Sequence, residues 1–305
     1  MFEKILVPLD GSPLAQGILP CVMLLARGFQ SRVILFHAAE APLDQESPEQ
    51  EPYADEAMER IRPLAENYLE GVAAELRREG LDVDTQVVKG KATQEVMRFA
   101  EQEDVDLIAM SIHSRSGLTR WVVGSVVDRL LRASHRSLLL VRPPDEIAGG
   151  EATARLSKIV VPLDGSPPAE WALPFAEELG KVLNLEVALI QVIGIETTVQ
   201  FSPMAPVTWA VPADVLQRLD VVASGYLKGV ARELERKGLS VQWEVLRGPP
   251  GPRIIEFARQ TPDCLVAMTS HGRSGFRRWI LGSVADEVVR HTGEPVLIIR
   301  SRPRQ

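Results

Sequence analysis

The chain repeats itself, and this limits its possible folds more than any other feature. KILVPLDGSPLAQGILP at Lys4 to Pro20 recurs as KIVVPLDGSPPAEWALP at Lys158 to Pro174, with 12 of 17 positions identical and an offset of 154. LIAMSIHSRSGLTRWVVGSVVDRLLR from Leu107 returns as LVAMTSHGRSGFRRWILGSVADEVVR from Leu265 at an offset of 158, so the second copy carries four extra residues between the two segments. Solenoid units run to about 20–50 residues. The period here is far longer and predicts two whole homologous domains in tandem. They span 1–143 and 158–305 of the 305 residues, with a linker at 144–157 marked by Pro-Pro, Gly-Gly and lost apolar periodicity.

Each half reads as strands alternating with helices. In the first, the strand ILVPL is followed by helical periodicity over Pro13 to Gly28 and the β-branched run RVILFHAA. An amphipathic stretch from Ala57 to Glu79 stops at Gly80, a natural C-cap. Then come the strand DVDTQVV, a helix over Thr93 to Gln102, the strand DLIAM, a Gly/Ser loop, a helix from Ser125 and the strand SLLLVR. The second half repeats the order with IVVPL, EVALIQVI, a helix over Ala213 to Lys237, VQWEVL, a helix over Ile254 to Arg259, CLVAM and PVLIIR. Apolar strands separated by helices predict α/β architecture: two doubly wound domains, each a five-stranded parallel sheet of order 3-2-1-4-5 flanked by helices.

Composition narrows the function. The 34 basic and 41 acidic residues leave a net charge of −7 without a basic block, which disfavours nucleic acid and anionic membrane as partners. Cys21 and Cys264 are far apart and each sits in an apolar stretch, so neither a disulfide framework nor a cysteine metal site is expected. No apolar run approaches the length of a signal peptide or membrane helix, and a cytoplasmic location is expected.

Ligands of open parallel sheets bind beyond the strand carboxyl ends, where strand order reverses. The unusual polar residues fall there: Asp10-Gly11-Ser12 and Asp164-Gly165-Ser166 after strand 1, and the loops Ser111 to Gly124 and Thr269 to Gly282 after strand 4. Asp-Gly-Ser alone reads equally as a turn with a helix N-cap. In the second loop, Gly272 and Gly275 allow close backbone approach to an anion. Gly282-Ser283 opens a helix whose free amides favour phosphate, and Arg273 adds positive charge. No P-loop lysine motif occurs, and His271 lacks an oriented nucleophile, so a binder without strong catalysis is expected.

These motifs carry a family resemblance. Thr269-x-x-Gly272, nine residues and then Gly282-Ser283, together with VPLDGS after strand 1 and SHGRSG after strand 4, resemble the universal stress protein family across both halves. The resemblance implies an ATP-binding, stress-responsive regulator, with or without Mg²⁺. It places Pro162 and Asp164 by the nucleoside, Val192 and Met268 near the base, and Thr269, Gly272, Arg273, Gly282, Ser283 and Val284 around the phosphates. Weaker counterparts in the first domain are Pro8, Asp10, Gly124 and Ser125. An intramolecular pseudo-dimer is further implied; the paired halves leave a homodimer open, and a regulatory protein partner is expected. A nucleotide-independent interaction scaffold is the alternative, because Thr269 replaces the first glycine of the pattern.

The first half departs further, with Ser111 and Ser114 in place of both leading glycines. If the Gly272 position needs a left-handed backbone, Ser114 costs about 1–2 kcal/mol there, roughly tenfold in affinity. The segment Ala39 to Glu56 adds seven acids and no base, whereas Ile193 to Ala213 holds one acid, Glu196. The acidic stretch reads either as a lid that repels polyphosphate or as a solvated loop. The second domain is therefore expected to hold the main nucleotide site.

Overall fold

The structure is a computed structural model describing residues 1–40, 51–112, 123–143, 155–194, 199–202, 205–208, 212–270 and 281–300. It contains two compact units. One gathers Met1–Arg155 and the C-terminal segment from Pro295, and the other gathers most residues between Leu156 and Glu294.

In the first unit, β1 (Lys4–Pro8), β2 (Arg32–Ala39), β3 (Asp82–Lys89), β4 (Leu107–Ser111) and β5 (Ser137–Val141) pair in parallel in the order β3-β2-β1-β4-β5. The strands are linked by α1 (Leu19–Phe29), α2 (Glu51–Arg78), α3 (Ala92–Gln102) and α4 (Ser125–Ala133). In the second, β6 (Lys158–Pro162), β7 (Glu186–Ile193), β10 (Val241–Arg247) and β11 (Cys264–Thr269) pair in parallel in the order β10-β7-β6-β11. Its helices are α5 (Ala172–Leu183), α6 (Ala213–Arg236), α7 (Pro250–Gln260) and α8 (Ser283–His291). The last strand, β12 (Val296–Ile299), counts with the first unit and pairs antiparallel with β5 through Val296–Leu140, Leu297–Leu139 and Ile298–Leu138.

The strands form where the sequence is continuously apolar because helices cover both sheet faces. All five residues of β4 and all five of β5 are buried, as are Ile5, Leu6 and Val7 of β1. Each fully buried aliphatic side chain contributes about 1.5–3 kcal/mol relative to exposure. Backbone exceptions recur in register: Gln30 and Asn184 take left-handed C-cap conformations, as do Gly80 and Gly238 just beyond α2 and α6.

Three local expectations change. The helix expected from Pro13 begins as a 3₁₀ turn, Ala15–Ile18, before α1, with Pro20 in the first helical turn where its missing N–H is harmless. The helix expected from Ala57 already starts at Glu51, so part of the acidic segment is helical, consistent with the preference for acids at a helix N-terminus. Residues 41–50 of that segment lie outside the described residues. Likewise α7 begins at Pro250 rather than Ile254, with proline again in the first turn. An unanticipated hairpin, β8 (Val199–Ser202) with β9 (Ala205–Thr208), follows β7.

Candidate functional site

Each unit opens a cavity over the carboxyl ends of its first and fourth strands, about 600 Å³ in the first and about 420 Å³ in the second. Their linings correspond position by position. Pro8, Asp10, Met110, Ser111, Gly124 and Ser125 of the first match Pro162, Asp164, Met268, Thr269, Gly282 and Ser283 of the second. Equivalents lie 154 residues apart up to Glu40 and Gly194, and 158 apart from Tyr68 and Tyr226 onward. The four extra residues therefore fall in the stretch containing β8 and β9.

The Asp-Gly-Ser segments serve as both turn and wall. Asp10 Oδ1 accepts from the Ser12 N–H at 3.0 Å and the Ser12 hydroxyl at 2.6 Å, and Ser12 Oγ accepts from the Ala15 N–H at 3.2 Å. Asp164, Ser166 and Ala169 repeat these bonds at 2.9, 2.6 and 3.4 Å. Gly11 and Gly165 turn the chain at φ +84° and +79°, where other residues are strained. The same turn thus holds each aspartate at its cavity wall.

Opposite stand the starts of α4 and α8. Gly124 and Gly282 are their N-caps and supply no capping side chain, so the first-turn amides have no intrahelical acceptor, and the first helical residues, Ser125 and Ser283, line the cavities. The Gly282 N–H donates to the Ser270 carbonyl at 2.8 Å, which ties the α8 start to the end of β11. Both glycines adopt ordinary extended conformations, with φ of −57° and −62°. What glycine contributes there is space rather than a left-handed turn.

Of the predicted residues, Pro162, Asp164, Val192, Met268, Thr269, Gly282, Ser283 and Val284 line the second cavity. Pro8, Asp10, Gly124 and Ser125 line the first. Val192, expected after strand 2, sits within β7 near its end. Gly272 and Arg273 lie outside the described residues, as do His271, Gly275, Ser114 and 144–154 of the linker.

Several lining residues escaped the sequence reading. Val96 and Ile254 come from the helices after strand 3, and Ile61 comes from α2. At the end of β2, His37 lines the first cavity, where the one polar residue interrupting the apolar run of RVILFHAA was the available signal, and Glu40 of the acidic segment lines it too. Among the described residues, Asp164 is the one ionisable group lining the second cavity. Near each aspartate a tyrosine bonds to the turn that follows strand 1. The Gln16 amide donates to the Tyr68 hydroxyl at 3.2 Å, and the Tyr226 hydroxyl donates to Glu170 at 2.9 Å. Burial first, then the Glu170 hydrogen bond and carboxylate charge, push the Tyr226 phenol well above its usual range, so it stays protonated.

Cys21 and Cys264 are buried and line neither cavity. Among the described residues, no group of three or more metal-ligating side chains occurs, and no helix is long and apolar enough to cross a membrane.

Comparison with known proteins agrees with the repeat. The model of the universal stress protein family matches residues 1–142 and again 156–300. The chain is 31% identical over 148 residues to universal stress protein MJ0531 of Methanocaldococcus jannaschii, an alignment covering 48% of this chain and 84% of that one. A universal stress protein of Mycolicibacterium smegmatis is 25% identical over 227 residues, covering 73% of this chain and 70% of its own. Among solved structures, a universal stress protein from Archaeoglobus fulgidus superposes with a TM-score of 0.70 at 18% identity, covering 99% of this chain and all of the other, which shows the shared fold.

Proposed function

We propose, for a chain that belongs to the universal stress protein family, that it works as a nucleotide-binding regulator, with ATP seated in the second cavity and no strong catalysis. What carries this reading is convergence: eight residues chosen from sequence motifs line one cavity. Its volume of about 420 Å³ lies within the range of small-molecule sites, about 300–1,000 Å³. Amides at the α8 start supply donors for phosphate oxygens. Apolar Val192, Ile254 and Met268 offer a dry wall for a base. With Asp164 as the one ionisable lining group among the described residues, the cavity is built to hold a ligand rather than to move protons. Hydrolysis, where it occurs, is slow.

Binding shifts the chain between states that a regulatory protein distinguishes, because a ligand moves an equilibrium only through unequal affinity for the two states. Pairing of the repeats as a pseudo-dimer, association of whole chains as a homodimer and a cytoplasmic location belong to the same proposal.

Calorimetric titration of nucleotide-free protein with ATP and Mg²⁺ tests the reading. One ATP bound in the second cavity is expected, lost in Gly282→Val. Valine is sterically permitted at φ −62°, ψ 147°, so the variant folds while its isopropyl group occupies the space beside the α8 amides. Absence of ATP binding to the parent protein would favour a nucleotide-independent scaffold.

A further inference from the structure

The first cavity is the larger of the two, and its wall over β2 differs in kind from its counterpart. His37 and Glu40 line it there. At the equivalent positions of the second cavity, Gly194 replaces Glu40, and Gln191, which replaces His37, is absent from the lining. The tautomer of the neutral His37 ring follows from its contact: Nδ1 lies 2.8 Å from the Leu9 carbonyl oxygen, which only accepts. Nδ1 therefore carries the hydrogen, and Nε2 of the neutral ring is an acceptor. The exposed Glu40 carboxylate, also acceptor-only, forms no hydrogen bond or ion pair among the described residues. Also lining the cavity, the uncapped start of α4 presents first-turn N–H donors, and Ser125 adds a hydroxyl that both donates and accepts. His37, Glu40 and the start of α4 line one and the same cavity.

We propose that the first cavity takes a nucleotide of a different class from the second: one with a short anionic group at the α4 end and a base edge offering adjacent N–H donors to Glu40 and His37, as guanine does through N1–H and N2–H₂. Adenine presents one exocyclic amino group beside ring acceptors, which face repulsion from an acceptor-only wall. A triphosphate adds charge beside two lining carboxylates, Asp10 and Glu40, where the described lining of the second cavity has Asp164 alone, which favours a monophosphate. The single chain then reads two nucleotides at once. This rests on the reading of the strand-end cavities as nucleotide sites.

The experiment uses the whole-chain Gly282→Val protein, in which valine crowds the α8 amides of the second cavity, titrated with GMP and with AMP. GMP is expected to bind at least tenfold more tightly than AMP. Glu40→Ala should bring the two to within about threefold, while Gly124→Val removes both. A far-UV spectrum and melting temperature matching the parent establish that each variant is folded. Equal or reversed affinity in folded Gly282→Val protein overturns the inference, as does a GMP preference that survives Glu40→Ala. Binding of neither monophosphate also overturns it, yet leaves the ATP assignment standing if the parent binds ATP and Gly282→Val does not.

Discussion

Gly11 offers a test of the turn that holds Asp10 at the cavity wall. At φ +84° it occupies the left-handed region, and a Cβ added there meets no heavy atom within 4 Å. Replacing it with alanine therefore changes no packing and isolates the backbone term. An L-residue pays about 1–2 kcal/mol in that region. The unfolded chain returns about 0.4–1 kcal/mol of this, because alanine has less freedom to lose. Gly11→Ala should thus destabilise by about 0.8 kcal/mol, the middle of a difference spanning about 0–1.6 kcal/mol. Gly71, inside α2, also has open space around its missing Cβ, but its backbone is helical, where alanine is favoured by about 0.5–1 kcal/mol. The same added methyl should have opposite effects at the two sites. With a urea slope of about 2 kcal/mol/M, the denaturation midpoint should fall by about 0.3–0.5 M for Gly11→Ala and rise by a similar amount for Gly71→Ala. A Gly11→Ala midpoint at or above the parent value would show that the turn does not require the left-handed conformation.

Two further predictions concern ionisation. Burial holds the Cys21 thiol up at about 11 and the Cys264 thiol up at about 12, against an ordinary 9.0. The unfolded chain therefore releases these protons first, and stability falls as pH rises from about 9 toward the folded values, at up to about 1.4 kcal/mol per pH unit per thiol. Denaturation at pH 8 and pH 10 should show this loss and Cys21→Ala with Cys264→Ala should reduce it; an unchanged pH slope in the double variant would contradict the assignment. At Glu177, partial burial pushes the carboxyl up, but hydrogen bonds from Lys181 and Lys237, both 2.7 Å, outweigh it and hold the carboxyl below its usual value. Its stabilisation is present above the unfolded pKa and disappears as pH falls through the lower folded one. Because both lysines are largely exposed, Lys237→Ala should cost only about 0.5 kcal/mol near pH 7 and nothing at pH 2, measured by urea denaturation at the two pH values.

The strands were legible because helices on both faces demand continuous apolar runs such as ILVPL and LLLV, which local composition displays directly. Helix starts were less legible. At Glu51 and Pro250, prolines and acids that mark loops elsewhere are favoured in a first helical turn, so a local count places the boundary too late. The motif residues converged on one cavity because strand-end positions are set by register, and register follows from the apolar pattern.

By itself, the sequence determined the duplication, the order of strands and helices, the two Asp-Gly-Ser turns and the glycines that open α4 and α8, since each is a property of neighbouring residues. The chemistry of each cavity was decided only in three dimensions. Ile61, Val96 and His37 come from elements distant in the chain, and folding alone brings them to one cavity. Even the hydrogen on His37 is settled by a carbonyl 28 residues away. A side chain's donor or acceptor character depends on the atoms packed against it, and a linear pattern does not contain those atoms.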